Sequence, residues 1–412
     1  MEQRMMEGKT GQTTADARGA RQQEVIFLAI VALFWFAQYV YIPYQTTYLT
    51  GIGAASSVVG TVVGAYGISQ LILRLPVGVC ADRLGRHKPF IMAGALASGS
   101  ASLFRVCLCN ERGFLAANLL SGLASAMWIS FMVFYTGKYP QDQQKATSRI
   151  VLFNNLGMLL GFVASTLCYS RIGMGKICAL SVGAGTLAFV LALFLKEPGG
   201  ELRPGRGNLS LAQLLKVCRG KRIIMFSMIA LIQQGIQLTT TMSFTNQILK
   251  NIGASNGIVG VSSILYMLSA VVFAAMASSD FCTKKGPRFW IPAVLLAVAF
   301  YCLMVPVAGS IPFLLALQVL PGMATGILFS YATSEAMQGV PGEQRSTAMG
   351  FFQAVYAVGM TTFPIVTGKI AAGAGMRQGY LVLAVIAVAG SWAAALYYMV
   401  ENGKFLEIIH KS

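Results

Sequence analysis

"GVCADRLGRHKP", Gly78 to Pro89, gathers one Asp, two Arg, one His and one Lys in a chain that is only 11% charged. Its flanks give that cluster its meaning. Apolar stretches run before it, 56–79, and after it, 89–109, and each is long enough to cross a bilayer as a helix, which takes about 20 residues. Working outward, the same unit recurs along almost the whole chain. We read about twelve spans: 24–47, 56–79, 89–109, 113–136, 147–169, 175–196, 223–247, 257–279, 289–307, 311–336, 346–370 and 379–400. The composition agrees, with 56% hydrophobic residues and 44 glycines, as in closely packed membrane helices. Backbone in hydrocarbon must satisfy its own hydrogen bonds, so the fold class is an all-α integral membrane protein.

The net charge of +17 raises the question of nucleic acid, and the placement of the charge answers it. Of 31 Lys and Arg, 23 lie at the two termini and in the loops after even-numbered spans. Seven, Arg105, Arg112, Arg171, Lys176, Lys250, Lys369 and Arg377, fall on the other side, and Arg74 lies within a span. That asymmetry is the positive-inside pattern, which places both termini and the quoted stretch in the cytoplasm of a plasma-membrane protein. Anionic lipid of the inner leaflet accounts for the basic excess, so lipid is an expected partner and nucleic acid is not.

The polar, mixed-charge residues 1–22 read as a disordered tail. The apolar stretch behind them is too long for a signal-peptide core and lacks a small-residue cleavage site, so it is read as a retained span. The eight cysteines are scattered without CxxC pairs, and His87 and His410 are the only histidines. Free thiols, with no metal site and no cofactor, are the expectation.

The chain also repeats itself. "YLTGIGAASSVVG" at 48–60 returns as "ILKNIGASNGIVG" at 248–260, with Leu49, Ile52, Gly53, Ala54, Val59 and Gly60 recurring 200 positions later. Tyr66 and Tyr266 keep that register, and the region of Asp82 returns around Asp280, 198 positions on. Two homologous halves of six spans follow: a bundle at 23–197, a linker at 198–222, a bundle at 223–400 and a C-terminal tail at 401–412. Six is even, so the halves enter from the same side, as parallel repeats do in transporters.

With Arg74-Leu75-Pro76-Val77-Gly78 running into Asp82-Arg83-Leu84-Gly85-Arg86, between the second and third spans, the loop resembles the signature of the major facilitator superfamily. Glu335 to Arg345, after the tenth span, resembles that family's second loop pattern. The resemblance implies two six-helix bundles that rock about a central site. It also implies a cytoplasmic latch of Gly78, Asp82, Arg83, Gly85 and Arg86 opposite Glu335 and Arg345. Asp82 is suited to accept bonds from the free amides of a helix N-terminus. In the resembled family that helix opens the eleventh span, near Ser346 here, and Arg86 joins the local ion pairs.

Polar side chains deep in spans are the candidates for binding a small solute, because burying them in lipid is costly. Gln38, Tyr41 and Gln45 share one face of the first span, and Gln234, Gln237 and Thr241 repeat that spacing in the seventh. Trp128, Asn154, Asn155, Tyr266, Gln353 and Tyr356 are further candidates. Each could instead serve as an interhelical hydrogen bond. Arg74 either neutralises an anionic solute or pairs near the end of its helix. Glu335 is the carboxylate placed to carry a proton, or to form a gate pair with Arg345. The fifth span has Phe162 where proton-coupled exporters of the resembled family carry a proline, which argues against a drug–proton antiporter. No Walker motif is present to bind ATP, and no grouped carboxylates or histidines suggest an enzyme. The expectation is a monomeric secondary transporter for a neutral, zwitterionic or amphiphilic solute, with a lipid flippase or a non-transporting sensor as alternatives.

Overall fold

In a computed structural model, which describes residues 2–54, 56–197 and 210–411, side chains excepted at both termini and at scattered positions, the apolar stretches are helices. The first half holds α1 (Glu2–Tyr39), α2 (Ile42–Gly51), α3 (Ser56–Leu84), α4 (Lys88–Cys107), α5 (Glu111–Ala126), α6 (Trp128–Thr136) and α7 (Gln143–Leu193). A short α8 (Leu211–Lys216), closed by a Ser210–Gln213 capping box, lies in the linker, whose residues 198–209 are outside the described residues. The second half holds α9 (Lys221–Thr239), α10 (Thr245–Asn251), α11 (Asn256–Ala277), α12 (Asp280–Met304), α13 (Ile311–Leu317), α14 (Val319–Met323), α15 (Phe329–Met337), α16 (Arg345–Ala374) and α17 (Met376–Lys411). Two π-helical segments, Thr240–Phe244 and Ala324–Leu328, interrupt it.

Among the described residues, ten helical stretches are long and apolar enough to cross a membrane. One of them, Gln143–Leu193, merges the fifth and sixth spans read from the sequence, and it breaks at Gly173 (φ 72°, ψ 173°). A side chain would be strained there, and glycine is not. The 29-residue α3 is not among the ten. α1 covers the first 22 residues as well as the first span.

The repeat is visible in the backbone. Gly53 and Gly253 have φ of 90° and 89°, and after each the amide of Ala54 or Ala254 donates to Leu49 or Leu249 at 3.0 Å. Gly85 pairs in the same way with Gly286, and Gly173 with Gly375, all at positive φ. A Cβ at Gly122 would run into Ser69 and the Tyr66 carbonyl; one at Gly322 would run into Ser269 and the Tyr266 carbonyl. Lipid supplies no hydrophobic drive between helices, so such small-residue contacts carry the packing. Gly157 against Ala32 and Gly161 against Val40 seat α7 on α1 in this way, while Trp392, 70% exposed, faces outward. The halves meet along two seams, α3 with α16 and α7 with α11.

Candidate functional site

Polar side chains converge in each half. In the first, Gln38 Nε2 donates to the Ser121 carbonyl at 2.9 Å and to Ser125 Oγ at 3.0 Å, and Tyr66 shares a 2.8 Å bond with Ser125. In the second, Gln233 Nε2 donates to Gln237 Oε1 at 2.8 Å, Gln237 donates to Tyr266, and Tyr266 shares a 2.8 Å bond with Thr325. Tyr66 and Ser125 recur as Tyr266 and Thr325, so each half joins a glutamine, a tyrosine and a hydroxyl, through the hydroxyl in the first half and through the tyrosine in the second.

The remaining candidates divide. Gln45 and Asn154 are buried with a side-chain oxygen lacking a hydrogen-bond partner. Asn155 Nδ2 reaches across to the Ala270 carbonyl at 3.5 Å. Thr241 is buried beside Thr240, with 3.5 Å between their hydroxyls. Trp128 packs against Phe34, Trp35 and Phe131, which gives it to the core of the first half. Gln234 is half-buried with no bond described, and its neighbour Gln233, which the sequence reading passed over, takes its place in the cluster.

At the end of the molecule where the basic loops gather, Asp82 bridges the halves. Its Oδ1 accepts from the Ser346 amide at 2.9 Å and its Oδ2 from the Thr347 amide at 2.6 Å. α16 begins at Arg345, so both donors belong to its first turn, where amides lack helical acceptors and partial positive charge gathers. α3 continues through Leu84, which puts Asp82 on its last turn rather than in a loop. Gly78, one turn earlier, lets the backbones meet, because a Cβ there would strike the Ser346 carbonyl; Gly350 lies as closely on the Arg74 backbone. Arg83 and Arg86 are exposed, and neither belongs to the ion pairs among the described residues. On the other seam Gln144 Nε2 donates to the Ala277 carbonyl at 2.7 Å, and Lys145 Nζ lies 3.3 Å from Asp280 Oδ1.

Glu335 does not pair with Arg345, whose Nε donates to the Val340 carbonyl at 3.4 Å. Its partner is Arg222 at 2.5 Å, with the Tyr398 hydroxyl donating at 2.9 Å, and Arg222 also holds Glu401 at 2.8 Å beside a cavity of about 390 Å³. The first half inverts the arrangement: Glu24 accepts from Tyr135 at 2.6 Å and from Arg149 at 2.9 Å. Glu24 and Arg222 lie 198 positions apart, and Tyr135 and Glu335 lie 200 apart.

Two arginines are buried within the helices. Arg74 is 3% exposed, donates through Nη1 to the Gln353 carbonyl at 2.9 Å and also to Gln70, and lies 4.5 Å from the ring centre of Tyr356. Arg105 was expected on the far surface, yet it is 1% exposed. It donates to Ser102 at 2.9 Å, Asn118 at 2.6 Å and Ser121 at 3.1 Å, and stacks 3.7 Å over Tyr41. All eight cysteines are free, but only Cys178, Cys282 and Cys302 are buried.

Comparison with known proteins places this geometry. A family model described as Major Facilitator Superfamily matches residues 27–305 and 235–405. The inner membrane transport protein YajR of Escherichia coli is 20% identical over 167 residues, 40% of this chain and 37% of that protein. An uncharacterized transporter of Buchnera aphidicola is 22% identical over 143 residues, 35% of this chain and 36% of that one. The match thus spans little more than a third of either relative. Among solved structures, the human organic anion transporter MFSD10 superposes with a TM-score of 0.71 at 17% identity, covering 90% of this chain and 98% of that one. The fucose:proton symporter FucP of Escherichia coli gives 0.74 at 14% identity, covering 90% and 97%. At such identities the likeness establishes the fold.

Proposed function

The chain belongs to the Major Facilitator Superfamily, and from that premise we propose that it is a secondary active transporter, moving a small solute by alternating access across the plasma membrane. Twelve spans are part of the reading: the ten apolar stretches, with α7 counted twice at its Gly173 break, and α3. Both termini are then cytoplasmic, as the loop charge asymmetry supports. The observation that carries the proposal is Asp82 on the Ser346 and Thr347 amides. It ties one half to the other at the basic end through bonds that rigid-body rocking can break, and alternating access needs states within a few kcal/mol of one another. The conformation is closed at the cytoplasmic face, and the solute sits between the two glutamine–tyrosine clusters. Glu335 is held by Arg222 and Tyr398 within one half, which supports a structural ion pair rather than a proton carrier. A monomer suffices for this cycle.

The test is a pair of spin-label distances in reconstituted protein. Labels at the exposed positions 86 and 343 report the cytoplasmic face, and labels at 52 and 251 the opposite one. Transport by this mechanism requires the two distances to change in opposite directions, with Asp82→Asn lengthening the first. Distances that stay fixed, or that lengthen together, would sink the reading and leave the sensor alternative standing. Lipid-dependent change without solute flux in proteoliposomes would favour a flippase.

A further inference from the structure

Arg74 lies on the α3–α16 seam with its charge unanswered. Nη1 is spent on the Gln353 carbonyl and Nη2 on Gln70, both neutral acceptors. The buried Nε has no acceptor among the described residues, and neither has the buried Gln353 Oε1 beside it a donor. None of the four ion pairs among those residues includes Arg74. Asp82, two turns further along the same helix, is committed to two amides of α16. A guanidinium taken out of water with no counter-charge is a costly arrangement, and in membrane proteins it marks a functional position.

Arg105 sharpens the choice. It is as deeply buried and its Nε too lacks an acceptor among the described residues, but its hydrogen bonds go to Ser102, Asn118 and Ser121 of its own half and it stacks on Tyr41 of that half, whereas Arg74 stacks on Tyr356 of the other. Nothing about it changes when the halves part. Arg74, in contrast, spans the seam, so separating α3 from α16 breaks its bond to Gln353 and releases Nη1.

Building on the transporter reading above, we infer that the solute is an organic monoanion whose carboxylate pairs with Arg74 at this seam, its apolar body lying against Tyr356. A carboxylate meets two guanidinium donors side by side, the geometry that the released Nη1 and its neighbour Nη2, which carries a second proton beyond the one given to Gln70, provide. Binding then favours the state in which the seam has opened, which couples recognition to the rocking motion.

The experiment uses full-length protein in nanodiscs and proteoliposomes with matched pairs of solutes that differ only in charge: benzoate and benzamide, hexanoate and hexanamide, mandelate and mandelamide. At least one carboxylate should raise the melting temperature and exchange in counterflow where its amide does not. Arg74→Gln should weaken that carboxylate at least tenfold. Arg74→Lys keeps the charge and loses the planar fork, so it should retain the preference with reduced affinity. Arg105→Gln, even if less stable, should keep the carboxylate preference. Equal responses to both members of every pair, no response to either, or a preference that survives Arg74→Gln would overturn the inference. The label distances need no solute, so intact switching without an anion preference rejects this inference alone, while fixed distances reject the transporter reading itself.

Discussion

Asp82 and Asp280 occupy corresponding places 198 positions apart, each at the basic end of its half and each facing a helix of the other, yet they do different things. Asp82 is 6% exposed and spends both oxygens on the first-turn amides of α16. Asp280 opens α12 and reaches only the Lys145 ammonium, with side-chain exposures of 82% and 43%. A duplicated topology fixes where a contact can form, and burial decides what it is worth. Hydrogen bonds to a buried charged group contribute about 1.5–3 kcal/mol each, whereas an exposed ion pair contributes about 0–1 kcal/mol. The α3–α16 seam is therefore the one that holds the basic end together, and the α7–α11 seam follows.

The sharpest way to break that contrast is Asp82→Ala, which strands two buried amides and should cost the closed state about 2–4 kcal/mol. The 86–343 distance should then be long in most molecules, and an unchanged distribution would remove the asymmetry altogether. Next comes Gly78→Val, which attacks the same seam sterically, since the added atoms meet the Ser346 carbonyl. Overpacking of about 1–3 kcal/mol should again lengthen that distance without altering any charge. Glu335→Gln should lower thermal stability by on the order of 1–3 kcal/mol, because Arg222 loses the more buried of its two carboxylate partners and keeps only Glu401, while leaving the 86–343 distance unchanged. The pair lies within one half, so a lengthened distance would show that it acts between halves after all. The smallest effect belongs to Asp280→Asn: less than about 1 kcal/mol, and undetectable in roughly 1 M salt, where the screening length shrinks to about 3 Å.

Much of this architecture is legible in the chain because a membrane leaves few choices. Spans announce themselves by length, and the 200-residue register around Gly53 and Gly253 anticipated turns that superpose in φ and in hydrogen bonding. The Asp82 contact with the Ser346 amide is the one that the loop's resemblance to the major facilitator signature implied. Side-chain partners were harder. Arg222 and Glu335 are 113 positions apart with no spacing rule between them, although the Glu24 cluster 198 positions earlier offered a clue. Arg105 near the end of its span looks like a surface charge until Asn118 and Ser121 fold against it. The sequence reading took Gln234 by its i, i+3, i+7 spacing with Gln237 and Thr241, and the helix instead bonds Gln237 to Gln233 one turn before it, an i, i+4 pair that spacing allows equally.

The latch is also lopsided in what mutation can reach. Its acceptor is a side chain, but its donors are peptide N–H groups, which every residue except proline supplies. Ser346→Ala and Thr347→Val keep both peptide donors, so the backbone bonds to Asp82 survive side-chain change of that size. Proline at 346, well suited to the first turn of a helix, would delete one donor while sparing the fold. The genetic burden of the contact rests on two codons, the one for Asp82, which supplies the acceptor, and the one for Gly78, which leaves the room.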